Sequence, residues 1–185
     1  METHTLSIVH DNQLSEKQRA EFFAFEQKCF EKDLTAHRRL LYFSQPFAHI
    51  FIEDHGKLIS YLRVFVRQVQ WNKQSILIGG VGSVATEQSY RGQGIATQLL
   101  REAMQLLHQQ HVSFAVLQTY IPKGGKLYER VGFYPAQKGY TFLDSNNQLH
   151  TVKAQDVMVA PVENPSLLEE MIGSQDLLHL GKGDW

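Results

Sequence analysis

The sequence predicts one domain of the α/β (α+β) class, with a central mixed, mostly antiparallel β-sheet flanked by about four helices. Three observations predict it. The chain has 185 residues, enough for one domain with a sizeable core. From Ala48 to Thr86 the pattern is that of strands joined by tight turns. Beyond Thr86 it runs helix, strand, helix, and then returns to strands. No internal repeat or low-complexity linker divides the chain, so residues 1–185 read as a single domain.

In chain order, THTLSIVH reads as a short first strand. Ser15-Glu16-Lys17-Gln18 fits a capping box, with Ser15 as N-cap and Gln18 at N3. Phe22, Phe23, Phe25, Cys29 and Phe30 then give a helix with a broad buried face. A second helix is predicted over Thr35–Phe43, stopping before Pro46. AHIFIED and KLISYLRVFVRQVQ follow as strands joined at His55-Gly56, a hairpin signal. In the second of them Tyr61, Arg63, Phe65 and Arg67 alternate with Leu62, Val64, Val66 and Gln68. WNKQ turns the chain into SILIGGVGSVAT. That strand contains Gly79, Gly80 and Gly82, which predict a bulge or a close approach of something else to its backbone.

Ile95, Leu99, Leu100, Ala103, Met104, Leu106 and Leu107 form the buried face of a strong helix. SFAVLQT is nearly continuously apolar, as in a central strand. KGGKLYERVG reads as a short helix ending at Gly132, and the stretch from Phe133 to Pro161 as two strands around Asn146-Asn147. SLLEEMIG predicts a small helix, and DLLHL a last short strand before GKGDW. These strands are expected to form one sheet with the helices packed on it.

Composition narrows the function classes. Apolar residues make up 43% and charged residues 20%, as in a soluble globular protein. Lys plus Arg is 18 against 19 for Asp plus Glu, which argues against a general nucleic-acid binder. With Cys29 as the one cysteine, no intramolecular disulfide can form, and a reducing, cytoplasmic setting fits. The plain reading of Cys29 is a buried thiol. METHTLSIVH has no signal-peptide pattern, and no apolar run approaches the roughly 20 residues of a membrane span. His108 and His111 stand at i, i+3 on a polar helix end with no third ligand in view, so no metal site is predicted.

The stretch YRGQGIATQLL, Tyr90 to Leu100, carries the chemistry. Two glycines flank Gln93, Arg91 precedes them, and an apolar helix starts at once. N–H groups at a helix N-terminus lack intrahelical partners and carry partial positive charge, so a phosphate placed there takes several hydrogen bonds. Glycine lets the backbone come close. Gly92-Gln93-Gly94-Ile95-Ala96-Thr97 lacks the last glycine of a dinucleotide fingerprint, and Gly125-Lys126 is followed by Leu127 where a P-loop has Ser or Thr. RGQG by itself fits a phosphate loop or a plain glycine turn before a helix.

Its surroundings separate the two. R-x-x-G-x-A at Arg91, Gly94 and Ala96, directly after VGSVAT, resembles the acyl-CoA loop of the GNAT superfamily of N-acyltransferases. LYERVGF, Leu127 to Phe133, resembles that superfamily's second signature. The resemblance covers roughly Ile76 to Tyr134 and implies a GNAT-like fold with acetyl-CoA as co-substrate and no metal. It implies that backbone groups of Val84, Ala85 and Thr86 pair with the pantetheine arm. The amides of Gly92, Gln93, Gly94, Ile95, Ala96 and Thr97 would hold the pyrophosphate, with Arg91 beside it. Tyr128 stands where the superfamily commonly has its general acid. The asparagine often found at the start of the second helix is absent from YIPKGGKLY.

Attack of an amine on a thioester needs a neutral amine, a stabilised oxyanion and a stabilised thiolate. A bulged strand around Gly79 to Ser83 would expose an N–H to the carbonyl oxygen. Complete proton transfer from a tyrosine of pKa about 10 to a thiolate of pKa about 8.5 is uphill by roughly 2 kcal/mol. Tyr128 is therefore expected to act as a hydrogen-bond donor with late proton transfer; the alternative is an aromatic that packs its helix on the sheet. SILIGGVGSVAT carries no carboxylate and Glu87 is expected to be solvated, so no base is visible and a water chain would serve.

Acceptor contacts are expected from the first two helices, their loop and the last third of the chain. Glu31, Asp33, Asp144, Asp156, Asp184 and the Trp185 carboxylate lie there; acids suit a cationic polyamine, though each also fits an ordinary surface carboxylate. CFEKDLT, GGVGSVAT and the ending GKGDW are similar to the aminoglycoside 2′-N-acetyltransferases. That likeness carries acceptor contacts onto Asp33, Asp156 and Trp185, with Asp184 beside the last. Gly82 stands where those enzymes have a glutamate. The expected activity is acetyl transfer to a primary amine of a small cationic acceptor, an aminoglycoside-like sugar being the first candidate, by direct attack in a ternary complex. The alternatives are acetylation of a protein or peptide amine, and a non-catalytic acyl-CoA-binding sensor. No nucleic-acid or membrane partner is expected, and a homodimer is an open alternative to a monomer.

Overall fold

The computed structural model describes residues 4–30 and 44–185. The predicted helix over 35–43 and the acidic candidates Glu31 and Asp33 lie outside the described residues. The first half of the fold runs β1 (His4–His10), α1 (Glu16–Phe30), β2 (Ala48–Asp54), β3 (Lys57–Trp71), β4 (Gln74–Thr86) and α2 (Ile95–Gln109). The second half runs β5 (Phe114–Gln118), α3 (Ile121–Glu129), β6 (Tyr134–Pro135), β7 (Tyr140–Leu143), β8 (Leu149–Val152), β9 (Val157–Pro161), α4 (Pro165–Gly173) and β10 (Leu178–Lys182).

Local chemistry sets the boundaries. Before α1, Ser15 Oγ accepts from the Gln18 N–H at 3.2 Å and Gln18 Oε1 accepts from the Ser15 N–H at 3.0 Å, a reciprocal capping box. The β2–β3 hairpin turns at His55 and Gly56, with φ of 48° and 75°; the β3–β4 hairpin turns at Asn72 and Lys73, with φ of 47° and 64°. Two left-handed residues in succession match the twist of the flanking strands.

Seven strands form the central sheet in the order β1-β2-β3-β4-β5-β9-β6. All neighbours are antiparallel except β4 and β5, which are parallel. That ladder consists of Gly79↔Ala115 and Gly80↔Val116. Beyond Gly80, β4 continues to Thr86 without pairing to β5, so the sheet parts toward the C-terminal ends of these two strands. The sequence predicts one sheet; the structure has a second, β10-β7-β8, with β10 parallel to β7. Only the LHL of DLLHL enters this strand, which runs on to Lys182 and pairs with Tyr140–Leu143 and not with the central sheet.

Side-chain alternation divides the central sheet into two faces. On one, α2 packs Leu99, Leu100 and Leu107 against Ile50, Leu62, Val64 and Val81. On the other, α1 sets Phe22 and Phe25 on Phe51, Tyr61 and Ala85, and the chain end sets Trp185 on Phe65 and Ile78. Each fully buried large aliphatic contributes roughly 1.5–3 kcal/mol, so this two-sided core holds β4 rigidly where it parts from β5.

Candidate active site

The loop between β4 and α2 owes its shape to two glycines. Gly92 and Gly94 have φ of 80° and 84°, in the left-handed region. An added Cβ would meet nothing within 4 Å at either position, so backbone conformation and not crowding requires glycine there. Gly94 is the N-cap of α2 and its carbonyl accepts from the Gln98 N–H at 3.0 Å, but no side chain caps the helix. The first N–H groups of α2 are therefore not used by a capping side chain. Arg91 Nε donates to the Thr86 carbonyl at 3.0 Å, which pins the guanidinium at the loop. Gln93 Nε2 donates to the Ser89 carbonyl at 3.3 Å and braces the loop.

A cavity of about 490 Å³ opens beside this loop. Val84, Ala85, Thr86, Arg91, Gly92, Gly94, Ile95, Ala96 and Thr97 all line it; of the predicted contacts, Gln93 does not. Cys29 and Phe30 of α1 and Lys123, Leu127 and Arg130 on the opposite wall complete it with Tyr90. Sequence reasoning missed Lys123 and Arg130, although their spacing with Leu127 is that of one helix face. A larger cleft of about 1310 Å³ shares Cys29, Val84, Arg91 and Lys123 with the cavity and adds Thr119, Gly124 and Tyr128. Cys29 is half-buried, and burial pushes its thiol up.

The predicted bulge is present on β4. The ladder to β3 steps from Tyr61↔Ala85 to Arg63↔Gly82, leaving Ser83 and Val84 opposite Leu62. Ser83 carries the distortion, with φ of 54°. The neighbouring glycines serve close packing. A Cβ on Gly79 would lie 2.6 Å from Leu107 Cδ2, one on Gly80 2.5 Å from the Trp185 indole, and one on Gly82 3.0 Å from the Trp185 carbonyl carbon.

Tyr128 is buried, meets Phe133 edge-on at 6.2 Å and is hydrogen-bonded with Thr119. Burial pushes its phenol up to about 12. Complete transfer to a thiolate of pKa about 8.5 is then uphill by roughly 5 kcal/mol, so this hydroxyl is built to donate and keep its proton. The helix tolerates this pair because of Gly124, where a Cβ would lie 2.6 Å from Thr119 Oγ1. Glu87 is not simply solvated as the sequence suggests: its Oε1 accepts from Lys28 at 2.8 Å and from Lys57 at 3.2 Å. The Lys28 bond, then the Lys57 bond, holds its carboxyl below the usual range, which makes it a weak base.

The chain end is anchored. The Gly183 N–H donates to the Leu143 carbonyl at 2.7 Å, and Arg67 Nη1 donates to the carbonyls of Leu180 and Gly183 at 2.6 and 2.8 Å. Arg67 also lies 5.1 Å over the Trp185 ring, whose other neighbour is Phe65 at 5.7 Å. Trp185 is 6% exposed, and its carbonyl group lies against Gly82 beside the bulge. Asp184 is placed differently from its expected role. It is buried, and its Oδ1 accepts from the Tyr140 hydroxyl at 2.7 Å, so its charge is spent inside the tail. The Asp156 carbonyl accepts from the N–H of Thr119, the residue that bonds Tyr128, at 2.8 Å. Asp144 accepts from the N–H groups of Asn146 and Gln148 and bonds His150, closing the β7–β8 hairpin. Among the described residues no group of three or more His, Cys, Asp or Glu could hold a metal ion, and no helix is long and apolar enough to cross a membrane.

Comparison with known proteins agrees with this geometry. The model of the acetyltransferase (GNAT) domain matches residues 12–136. An aminoglycoside 2′-N-acetyltransferase of Mycolicibacterium fortuitum is 26% identical over 171 residues, covering 90% of this chain and 84% of that protein. The fold is similar to that of the GNAT family N-acetyltransferase YhbS of Escherichia coli in complex with CoA. There the TM-score is 0.62 at 17% identity, over 98% of this chain and 90% of that one. It is also similar to part of a probable N-acyltransferase of Enterococcus faecalis V583, with TM-score 0.54 and 19% identity; that match takes in 71% of this chain and 33% of the other.

Proposed function

Because the chain belongs to the GNAT acetyltransferase family, and so is an acyltransferase of that type, we propose that it moves the acetyl group of acetyl-CoA to a primary amine of a small cationic acceptor. An aminoglycoside-like amino sugar is the first candidate. The observation that carries the reading is the meeting of three features on β4: the loop cavity, the bulge at Ser83, and the Trp185 carbonyl group laid against Gly82.

The residues present fit acetyl-CoA. The left-handed glycines leave open space at a helix start without a capping side chain, and Arg91, Lys123 and Arg130 line the same cavity. From Val84 to Thr86 the edge of β4 that faces β5 has no ladder, and it would offer backbone groups to an extended ligand as another strand would. When bound, acetyl-CoA supplies an activated thioester. Tyr128 shares the larger cleft with Val84 and would donate its hydroxyl proton as a hydrogen bond to the leaving sulfur. The bulge turns β4 backbone out of the β3 ladder, and an N–H released there would serve as donor to an oxyanion.

On the acceptor side, a carboxyl on Trp185 would attract an ammonium. Gly82 brings no carboxylate to the bulge, and the Trp185 carbonyl group lies against it there. The indole packs on Gly80 and under Arg67, which leaves the carboxyl and not the ring as the part of Trp185 that would meet an acceptor. Asp184 holds this arrangement in place through Tyr140. The Mycolicibacterium relative supports the choice of an aminoglycoside-like amine. A cytoplasmic setting fits the unpaired Cys29.

An acceptor screen tests the proposal. Acetyl-CoA is mixed with the protein and, in turn, with polyamines, aminoglycosides and peptide amines, and thiol release is followed. Release with small cationic amines is expected. Release with peptides alone would replace the acceptor by a protein amine, and binding of acetyl-CoA without release on any amine would make the chain a sensor.

A further inference from the structure

Asp11, Glu26, His49, Tyr61 and Arg63 are buried on the α1 face of the sheet, each 5% exposed or less, and the chemistry above uses none of them. They form one chain of hydrogen bonds. His49 Nε2 bonds Asp11 Oδ1 at 2.8 Å, and His49 Nδ1 bonds the Tyr61 hydroxyl at 2.7 Å. Arg63 Nε donates to the Tyr61 oxygen at 3.2 Å, and Arg63 Nη2 donates to Glu26 of α1. Burial favours a neutral His49, and an arginine nitrogen can only donate. The directions are then set: His49 gives its Nε2 proton to Asp11, Tyr61 gives its own to Nδ1, and the Tyr61 oxygen accepts from Arg63.

This chain crosses the bulge. On β3, Tyr61 is opposite Ala85 and Arg63 is opposite Gly82, and the step between these two pairs is the bulge of β4. Tyr61 and Arg63 point to the same face. The bond between them therefore ties together the two residues of β3 that flank the distorted stretch of β4. Ser83 has φ of 54°, a conformation that a residue other than glycine keeps only where its surroundings impose it. Two apolar side chains would fasten α1 to the sheet at least as well as a buried Glu26–Arg63 pair, so fastening alone does not account for the pair. What an ion pair and an oriented hydrogen bond add is direction. We propose that Arg63, held between the Tyr61 hydroxyl and the Glu26 carboxylate, is a positioning residue that sets the β4 bulge and so aims its N–H groups at the thioester carbonyl. It acts through the backbone of β4 and not on a substrate. This rests on the acetyl-transfer reading given above.

The test combines backbone amide NMR on the free chain with steady-state kinetics on acetyl-CoA and the fastest amine of the acceptor screen. The variants are Tyr61→Phe, Arg63→Lys and Phe25→Leu. Tyr61→Phe removes one oxygen. Arg63→Lys keeps a charge for Glu26 but loses the Nε donor. Phe25→Leu thins the packing of α1 and leaves the three bonds of the bridge in place. In both bridge variants the Ser83 and Val84 amides should shift and exchange their hydrogens about tenfold faster. There kcat should fall about 10- to 100-fold, short of the loss of a whole oxyanion donor, with CoA affinity and acceptor KM within about threefold of their original values. Phe25→Leu should lower Tm and leave the two amides and kcat unchanged. Should Arg63→Lys fail to fold, Tyr61→Phe decides, since it changes a single atom. A kcat that survives in the bridge variants, whether or not the amides shift, or one that falls equally in Phe25→Leu, would overturn the positioning role and leave acetyl transfer intact. An unaltered chain that turns over no amine would overturn both.

Discussion

Removing the indole of Trp185 and displacing its carboxyl should have separable effects. The ring is 6% exposed and is packed by Gly80, Phe65 and Arg67. A tryptophan buries about 150–250 Å², which at about 25 cal/mol per Å² gives an upper figure of about 4–6 kcal/mol. Truncations of buried tryptophan to alanine cost about 3–5 kcal/mol. In a chain of this size each kcal/mol moves Tm by about 2–4 °C, so Trp185→Ala should lower Tm by about 6–20 °C. Appending one glycine after Trp185 leaves the ring in place but carries the charge about 3.8 Å onward and leaves a neutral carbonyl against Gly82. Tm should then hold, while kcat/KM for a cationic acceptor falls about 30- to 1000-fold, the equivalent of about 2–4 kcal/mol. The fall should shrink as salt rises. Affinity for CoA should not change, because Trp185 is absent from the cavity wall. Thermal denaturation and steady-state kinetics on the two variants make the check. An unchanged Tm in Trp185→Ala refutes the packing, and an unchanged kcat/KM in the extended chain refutes the role of the carboxyl.

Three further predictions concern the loop, the acid and the buried polar chain. Gly94→Val forces a β-branched residue to φ of 84°, so calorimetry should show CoA affinity reduced at least about tenfold in a chain that still folds. Tyr128→Phe should lower kcat by about 10²- to 10⁴-fold with little change in CoA affinity. Because its phenol titrates at about 12, the pH–rate profile of the unaltered enzyme should show no Tyr128 limb below about pH 11. The Tyr61 hydroxyl bonds His49 Nδ1 at 2.7 Å, and His49 Nε2 bonds Asp11 Oδ1 at 2.8 Å. Burial pushes His49 below its ordinary value, Asp11 only partly opposing it. Below pH about 6.5 the unfolded chain therefore takes a proton that the native His49 refuses, and stability falls until the lowered native pKa is reached. Burial alone would raise Asp11, but hydrogen bonds from Arg19, Gln45 and His49 hold it low, so its contribution is lost later, as pH falls through that lowered value. Urea midpoints should drop on acidification, less steeply in His49→Gln; a midpoint that rises between pH 6.5 and 5 contradicts the neutral His49.

The parts of the site that were legible are those written in consecutive residues. Gly92 and Gly94 declare a left-handed turn, the apolar period from Ile95 declares the helix, and LYERVGF sets Tyr128 on the neighbouring helix. The parts that were not legible depend on residues far apart in the chain. Gly80 and Gly82 read as a bulge or a close approach of something else, but the string does not say that what approaches is Trp185, at the other end of the sequence. Asp184 reads as an acceptor contact until the Tyr140 hydroxyl is found bonded to it, and Glu87 as solvated until Lys28 and Lys57 converge on it. The second sheet escaped because DLLHL as a string does not say which strand it pairs with. Arg130 and Lys123 were accessible in principle, since their helical spacing was visible, but only the cavity shows which way that face looks.

Acetyl transfer from acetyl-CoA to a small cationic amine leaves its mark on the acceptor, where mass spectrometry reads it. An aminoglycoside or polyamine is incubated with acetyl-CoA and either the unaltered chain or Tyr128→Phe. The expected result is one added acetyl group on an amine of the acceptor, matched by an equal amount of free CoA, with both slowed together in the variant. Bound acetyl-CoA that is never cleaved, with every amine recovered unmodified, would contradict it.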